Sequence, residues 1–213
     1  MKKTTVKNEK IMTTFGGFVD ESVKIEENVK IYPNVYLIGK TTIKKGTIIY
    51  PGTTIIDSEI GEKCVIKNSY IEESVVHNNV NVGPFAHLRP NSEIFDSAKI
   101  GNFVEIKNSK IGEGSKVSHL AYVGDAEIGK NCNIGCGAIF VNYNGKSKNR
   151  TTVGDDSFIG SNCNVIAPVT VAKGTYVCAG TTLSVSTEAD DFVIGRCRET
   201  IKKNRAHNYL GEN

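Results

Sequence analysis

No apolar run in these 213 residues approaches the roughly 18 needed to cross a membrane as a helix. The cationic start, Lys2, Lys3, Lys7 and Lys10, is not followed by an apolar core, which argues against a secretory signal peptide. The formal charge is only +3, with no basic block and no basic stripe interleaved with aromatics, so nucleic acid is not an expected partner. The six cysteines (Cys64, Cys132, Cys136, Cys163, Cys178 and Cys197) form no CxxC pair, and no His/Cys cluster has zinc-finger spacing. No metal site is therefore expected, and the thiols should be reduced, mostly small packing residues. These absences point to a cytoplasmic protein of one domain or a small pair.

What the chain does have is a beat. Ile25, Ile31, Leu37, Ile43, Ile49 and Ile55 stand six apart, and the rhythm continues through Ile60, Ile66, Ile71, Val76 and Val82 to Phe140. It resumes at Val153 and runs to Leu183. Most steps are six residues; a few, such as Ile55 to Ile60 and Ile106 to Ile111, are five. Four residues after each aliphatic stands a small or β-branched residue, among them Val29, Thr41, Thr47, Cys64, Ser115, Cys132 and Cys163. Gly, Asn, Asp and Pro fill the gaps and supply turn chemistry. A helix would repeat at three and four, and a plain strand at two. A period of six requires a short strand and a turn, repeated, with one large side chain always facing a shared interior.

The beat divides the chain. Residues 1–18 are expected to be a leader or a cap on the first coil, since the end of a solenoid needs protection from edge pairing. Residues 19–185 form the predicted solenoid. Between Phe140 and Val153 the spacing is too long for one turn, so a loop over residues 141–152 must be extruded. Residues 186–213 are a tail in which Arg196, Arg198, Lys202, Lys203 and Arg205 could meet an anionic ligand or simply be solvated.

Chemistry concentrates in IGNFVEIKNSKIGEGSKVSHLAYVGDAEIGKNCNI, from Ile100 to Ile134. His119 stands two residues after the beat residue Val117 and should point outward. A histidine there suits a general base, because its ordinary pKa lies near neutrality. Upstream, Arg89 directly follows a beat residue and precedes Pro90, a fixed position from which a guanidinium could grip a phosphate.

The hexad rhythm resembles that of the hexapeptide-repeat proteins, which implies an all-β, left-handed parallel β-helix with about three hexads per coil. The strings VGPFAHLRP, IGNFVEIKNSKIGEGSKVSHLAYVGDAEIG, NIGCGAIFVNYNGKSKNRTTVGDDSFIGSN, VIAPVTV and CAGTT narrow the likeness. They resemble the acetyltransferase half of the bifunctional glucosamine-1-phosphate acetyltransferase/N-acetylglucosamine-1-phosphate uridylyltransferase family. The resemblance implies acetyl transfer from acetyl-CoA to the 2-amine of glucosamine 1-phosphate, for UDP-N-acetylglucosamine and cell-wall precursor synthesis. It assigns His119 as the general base and Glu105 as the group that orients it. It places Arg89 and Lys107 on the phosphate, Tyr122 and Asn133 on the sugar, and Asn142 and Tyr143 near the reacting amine. It has Lys148 reach the sugar phosphate from a neighbouring subunit of a homotrimer. It puts the Cys136 backbone N–H on the oxyanion, and Ser161, Ala179 and Arg196 along coenzyme A.

The chain departs from that family in places. Cys136 stands where Ala is usual, and His87 where Arg is common. No LxAAGxGTRM-type loop is present, so uridylyl transfer is not expected of these residues, and a separate uridylyltransferase is a possible partner. An acetyltransferase for another amino sugar, nucleotide-linked or not, and a non-catalytic scaffold remain alternatives. A γ-carbonic anhydrase does not fit: its site needs two His five apart, and His77, His87, His119 and His207 contain no such pair.

Overall fold

A computed structural model describes residues 16–208, so the cationic start of the expected leader and the last five residues of the tail lie outside the described residues. The described chain is a left-handed parallel β-helix. Twenty-nine strands of two to four residues wind through three sheets. Sheet 1 has ten strands, from Phe18–Val19 to Thr182–Leu183; sheet 2 has nine, from Lys24–Ile25 to Thr170–Val171; sheet 3 has ten, from Lys30–Ile31 to Phe192–Val193. Each strand pairs in parallel with the one three further along, so one coil visits each sheet once; only the last pair, Tyr176–Val177 with Phe192–Val193, is two apart. Among the described residues no helix is long and apolar enough to cross a membrane.

The register follows the beat arithmetic. Phe18 pairs with Tyr36, 18 residues on, Tyr70 with His87, 17 on, and Thr54 with Tyr70, 16 on. Three six-residue steps give the first offset; one or two five-residue steps give the others. The beat residues from Leu37 through Ile106 are almost wholly buried. Each removes an aliphatic side chain from water, worth about 1.5–3 kcal/mol apiece.

The second beat does more than fill space. Thr47 Oγ1 donates to the Gly61 carbonyl at 2.7 Å and accepts from the Cys64 N–H at 3.0 Å. Ser115 makes the equivalent pair with Gly129 and Cys132. Cys64, Cys132 and Cys163 are buried, as small packing residues should be. Their S–H groups also point at carbonyls of the next coil: His77 at 2.9 Å, Gly154 at 3.1 Å and Cys178 at 3.1 Å. Burial pushes the Cys64 thiol up to about 11, so it stays protonated.

Turns are made by residues that tolerate the left-handed region, such as Asn28, Asn34 and Asn79 at φ near 60°. After Phe140 the register jumps. Lys116 pairs with Asn133 at an offset of 17, but Asn133 pairs with Phe158 at 25. The extra residues leave the prism between strands Ile139–Val141 and Thr151–Val153, folded back by an antiparallel bridge of Tyr143 with Lys148. Past Leu183 one more strand, Phe192–Val193, pairs with Tyr176–Val177.

Candidate active site

Side chains alternate across a strand, so residues flanking each beat residue of sheet 1 project outward. In register along that face stand Tyr70, His87, Glu105, Tyr122 and Ile139. Arg89 and Lys107 lie on the same face, on the far side of the beat residues Leu88 and Ile106. Arg89 Nη1 donates to Glu105 Oε1 at 2.8 Å, which raises the guanidinium pKa further. His87 is held by Glu72 at 3.1 Å and by the edge of the Tyr70 ring.

Lys107 is in a different state. The Lys148 ammonium from the extruded loop lies against it and, with partial desolvation and Arg89, holds the Lys107 pKa below the ordinary lysine range. Asp125 opposes that effect. Two ammonium groups and a guanidinium thus converge with too little negative charge between them, which a dianion would relieve.

The corner between sheets 3 and 1 holds a second group. Val117, Ile134, Ile159 and Val177 pair successively in sheet 3. Two residues beyond each stand His119, Cys136, Ser161 and Ala179, which therefore line up along the prism axis. Arg196 Nη1 donates to the Ala179 carbonyl at 2.9 Å, at the foot of the line. Among the described residues the N–H groups of Cys136, Ser161 and Ala179 donate to no protein acceptor. The His119 ring is exposed and has no hydrogen-bond partner among them. Glu105 is engaged by Arg89 rather than by His119. Asn133 projects from sheet 3, around the corner from Arg89, Lys107 and Tyr122.

The base of the loop carries residues that the sequence reading did not single out. Asp125 is 7% exposed. It accepts from Asn108 Nδ2 and from Asn142 Nδ2, both at 2.5 Å. Burial raises the Asp125 pKa, but the two amides and the Lys148 and Lys107 ammonium groups outweigh it and hold the carboxyl below the usual range. Asn142 Nδ2 also reaches the Tyr122 hydroxyl at 3.3 Å. Tyr143 is exposed, and its hydroxyl donates to the Gly145 carbonyl. Asn108, Asp125 and Asn142 stand 17 apart, one coil each, so their stacking was written in the sequence.

Residues 22–57 match the bacterial transferase hexapeptide (six repeats) model, residues 150–184 the hexapeptide repeat of succinyl-transferase, and residues 70–142 the GMPPB C-terminal domain. The bifunctional protein GlmU of Clostridium novyi is 50% identical over 182 residues, 85% of this chain and 40% of that one. GlmU of Caldicellulosiruptor saccharolyticus is 46% identical over 202 residues, 95% of this chain and 44% of its own. The matched part is the C-terminal acetyltransferase half. The chain carries hexapeptide repeats and is similar to that half of GlmU. It spans about 40% of the length of these GlmU relatives. A solved structure, the Arabidopsis UDP-N-acetylglucosamine acyltransferase, shares the fold at a TM-score of 0.61 and 18% identity, over 82% of this chain and 68% of that one.

Proposed function

We propose that this GlmU-like chain transfers acetyl from acetyl-CoA to the 2-amine of glucosamine 1-phosphate, in the cytoplasm. One observation carries the reading: sheet 1 bears an under-neutralised cation cluster, Lys107, Lys148 and Arg89, and the corner that leads into that sheet bears His119 followed by three unpaired N–H groups. The cluster suits a phosphate. Ser161 and Ala179 would offer N–H groups to the pantetheine arm, and Arg196 a cation to the phosphates of coenzyme A. His119 removes a proton from the substrate ammonium, and the free amine attacks the thioester carbonyl. The Cys136 N–H steadies the resulting oxyanion. As the C–S bond breaks, the amide nitrogen sheds its second proton to water, and the proton held by His119 goes to the departing thiolate. Glu105 would turn to His119 only if Arg89 shifted its charge onto the bound phosphate. A thiol-release assay with glucosamine 1-phosphate and other amino sugars tests the reading. Turnover with a different amino sugar alone would move the substrate, and silence with every amine would favour a scaffold.

The phosphate assignment has its own outcome. Arg89→Ala or Lys107→Ala should each raise KM for the sugar phosphate by about 10- to 100-fold, since hydrogen bonds to charged groups contribute roughly 1.5–3 kcal/mol. KM for acetyl-CoA should stay put. An equal rise in both would remove the phosphate role.

A homotrimer completes the proposal. Phe85, Phe103 and Leu120 occupy left-handed turn positions at φ 59°, 57° and 51°, which large apolar residues seldom adopt. All three are more than half exposed at the corner beside His119, and the two rings stack. Packing this strip against a neighbouring prism would also bring an Asn133 face toward an Arg89 face. Phe103→Asp should convert trimer to monomer in light scattering and abolish turnover. A monomeric wild type would overturn the assembly and the shared site with it.

A further inference from the structure

Asp125 is a buried charge for which acetyl transfer has no direct use, and it sits at the base of the extruded loop. Its backbone is tied into the coil: its N–H donates to the Lys107 carbonyl, and its own carbonyl accepts from Thr151 where the extruded loop rejoins the prism. Its two carboxylate oxygens are divided. Oδ1 takes the Asn108 amide from the preceding coil, and Oδ2 takes the Asn142 amide from the following one.

An ionised carboxylate only accepts hydrogen bonds. The Asn142 atom facing it must therefore be the nitrogen, and the two orientations of that side-chain amide are no longer equivalent. Asn142 Nδ2 is spent on Asp125 and on the Tyr122 hydroxyl oxygen. Asn142 Oδ1 accepts from no described group and is left to accept from outside. Tyr122, accepting from Asn142, keeps its own O–H proton to give away. Gly124 makes this possible: a Cβ there would fall 2.4 Å from the Tyr122 hydroxyl and 2.8 Å from Asn142 Nδ2.

We infer that Asp125 is a positioning residue that fixes the polarity of the site: through Asn142 it presents a carbonyl oxygen to the substrate amine and a Tyr122 hydroxyl proton to the sugar. The inference rests on the acetyl-transfer reading above. It extends that reading to orientation, because an amine whose N–H donates to Asn142 Oδ1 has its nitrogen lone pair set in one direction for attack. Asp125 also anchors the loop through Asn142, and so keeps Lys148 against Lys107.

Asp125→Asn keeps the shape and removes the constraint, since either amide can then flip. It should speed hydrogen exchange across residues 142–150 by about tenfold or more while leaving residues 153–185 unchanged. It should lower kcat/KM for the amino sugar by about 10- to 100-fold, with KM for acetyl-CoA unchanged and the thermal midpoint nearly so. Asn108→Ala, which removes the other partner and leaves the Asn142 bond, should cost much less in kcat/KM. Gly124→Ala, which pushes Tyr122 and Asn142 apart, should reproduce the kinetic loss of Asp125→Asn. Unchanged exchange over 142–150 in Asp125→Asn overturns the anchor. Loss shared equally between Asp125→Asn and Asn108→Ala, or between the two substrates, overturns the polarity. The exchange measurement needs no turnover, so it stands even if no amine proves to be a substrate.

Discussion

Replacing His119 with alanine should lower the rate of thiol release from acetyl-CoA by about 10²-fold or more, the usual contribution of a general base. The structure makes this a clean experiment. His119 is exposed at the corner, and its ring bonds to no described residue, so its removal costs the fold little. KM for either substrate should change only a few-fold, because no binding contact is assigned to the ring. The alternative result is also informative. Turnover within a few-fold of wild type, with both substrates saturating normally, would mean that the amine arrives already deprotonated. The corner would then act by placement and by the Cys136 N–H alone. His119→Gln, which keeps a polar side chain but cannot accept and carry the proton, should behave like alanine.

Gly101→Ala should have the largest effect on stability of any single methyl addition in the coil. Gly101 lies in strand Lys99–Asn102, and a Cβ built there meets the Ser118 carbonyl oxygen at 1.7 Å, inside the backbone of the next coil. A flexible side chain could give way, but a paired main-chain carbonyl cannot. The two strands must part or the register must slip. Overpacking of this kind costs about 1–3 kcal/mol and occasionally more, and this contact belongs at the upper end. In a domain of this size about 3 kcal/mol lowers the thermal midpoint by roughly 6–12 °C. Asn102 pairs with His119 in the same ladder, so the substitution should also disturb the corner. A midpoint within 2 °C of wild type, read by calorimetry, would show that neighbouring coils can separate there without penalty.

How far the sequence carried the reading differs from residue to residue. The coil was legible because Ile43, Ile49 and Ile55 repeat with no exception that a five-residue step does not explain. The loop was legible because the beat falls silent between Phe140 and Val153, and the register there jumps to 25. The alignment of His119 with Cys136, Ser161 and Ala179 follows from the same counting, since each stands two residues beyond a beat residue. So does the stacking of Asn108, Asp125 and Asn142, but Asp125 read as one more turn residue among many. Nothing in its neighbours distinguishes a carboxylate that closes a turn from one that also orders a loop.

The sequence by itself determined which residues share a column, because a solenoid converts spacing along the chain into position along an axis. It could not determine which partner a side chain chooses within that column. Glu105 stands within a coil of Arg89 and of His119, and the fold gives it to Arg89 at 2.8 Å. Lys107 meets Lys148 only because the loop folds back over the prism. Asn142 turns its nitrogen inward only because Asp125 is buried beneath it. Such choices depend on competing hydrogen bonds and charges at distances of a few ångströms, which have no period. Tertiary structure decides them, and they give the site its charge and its direction.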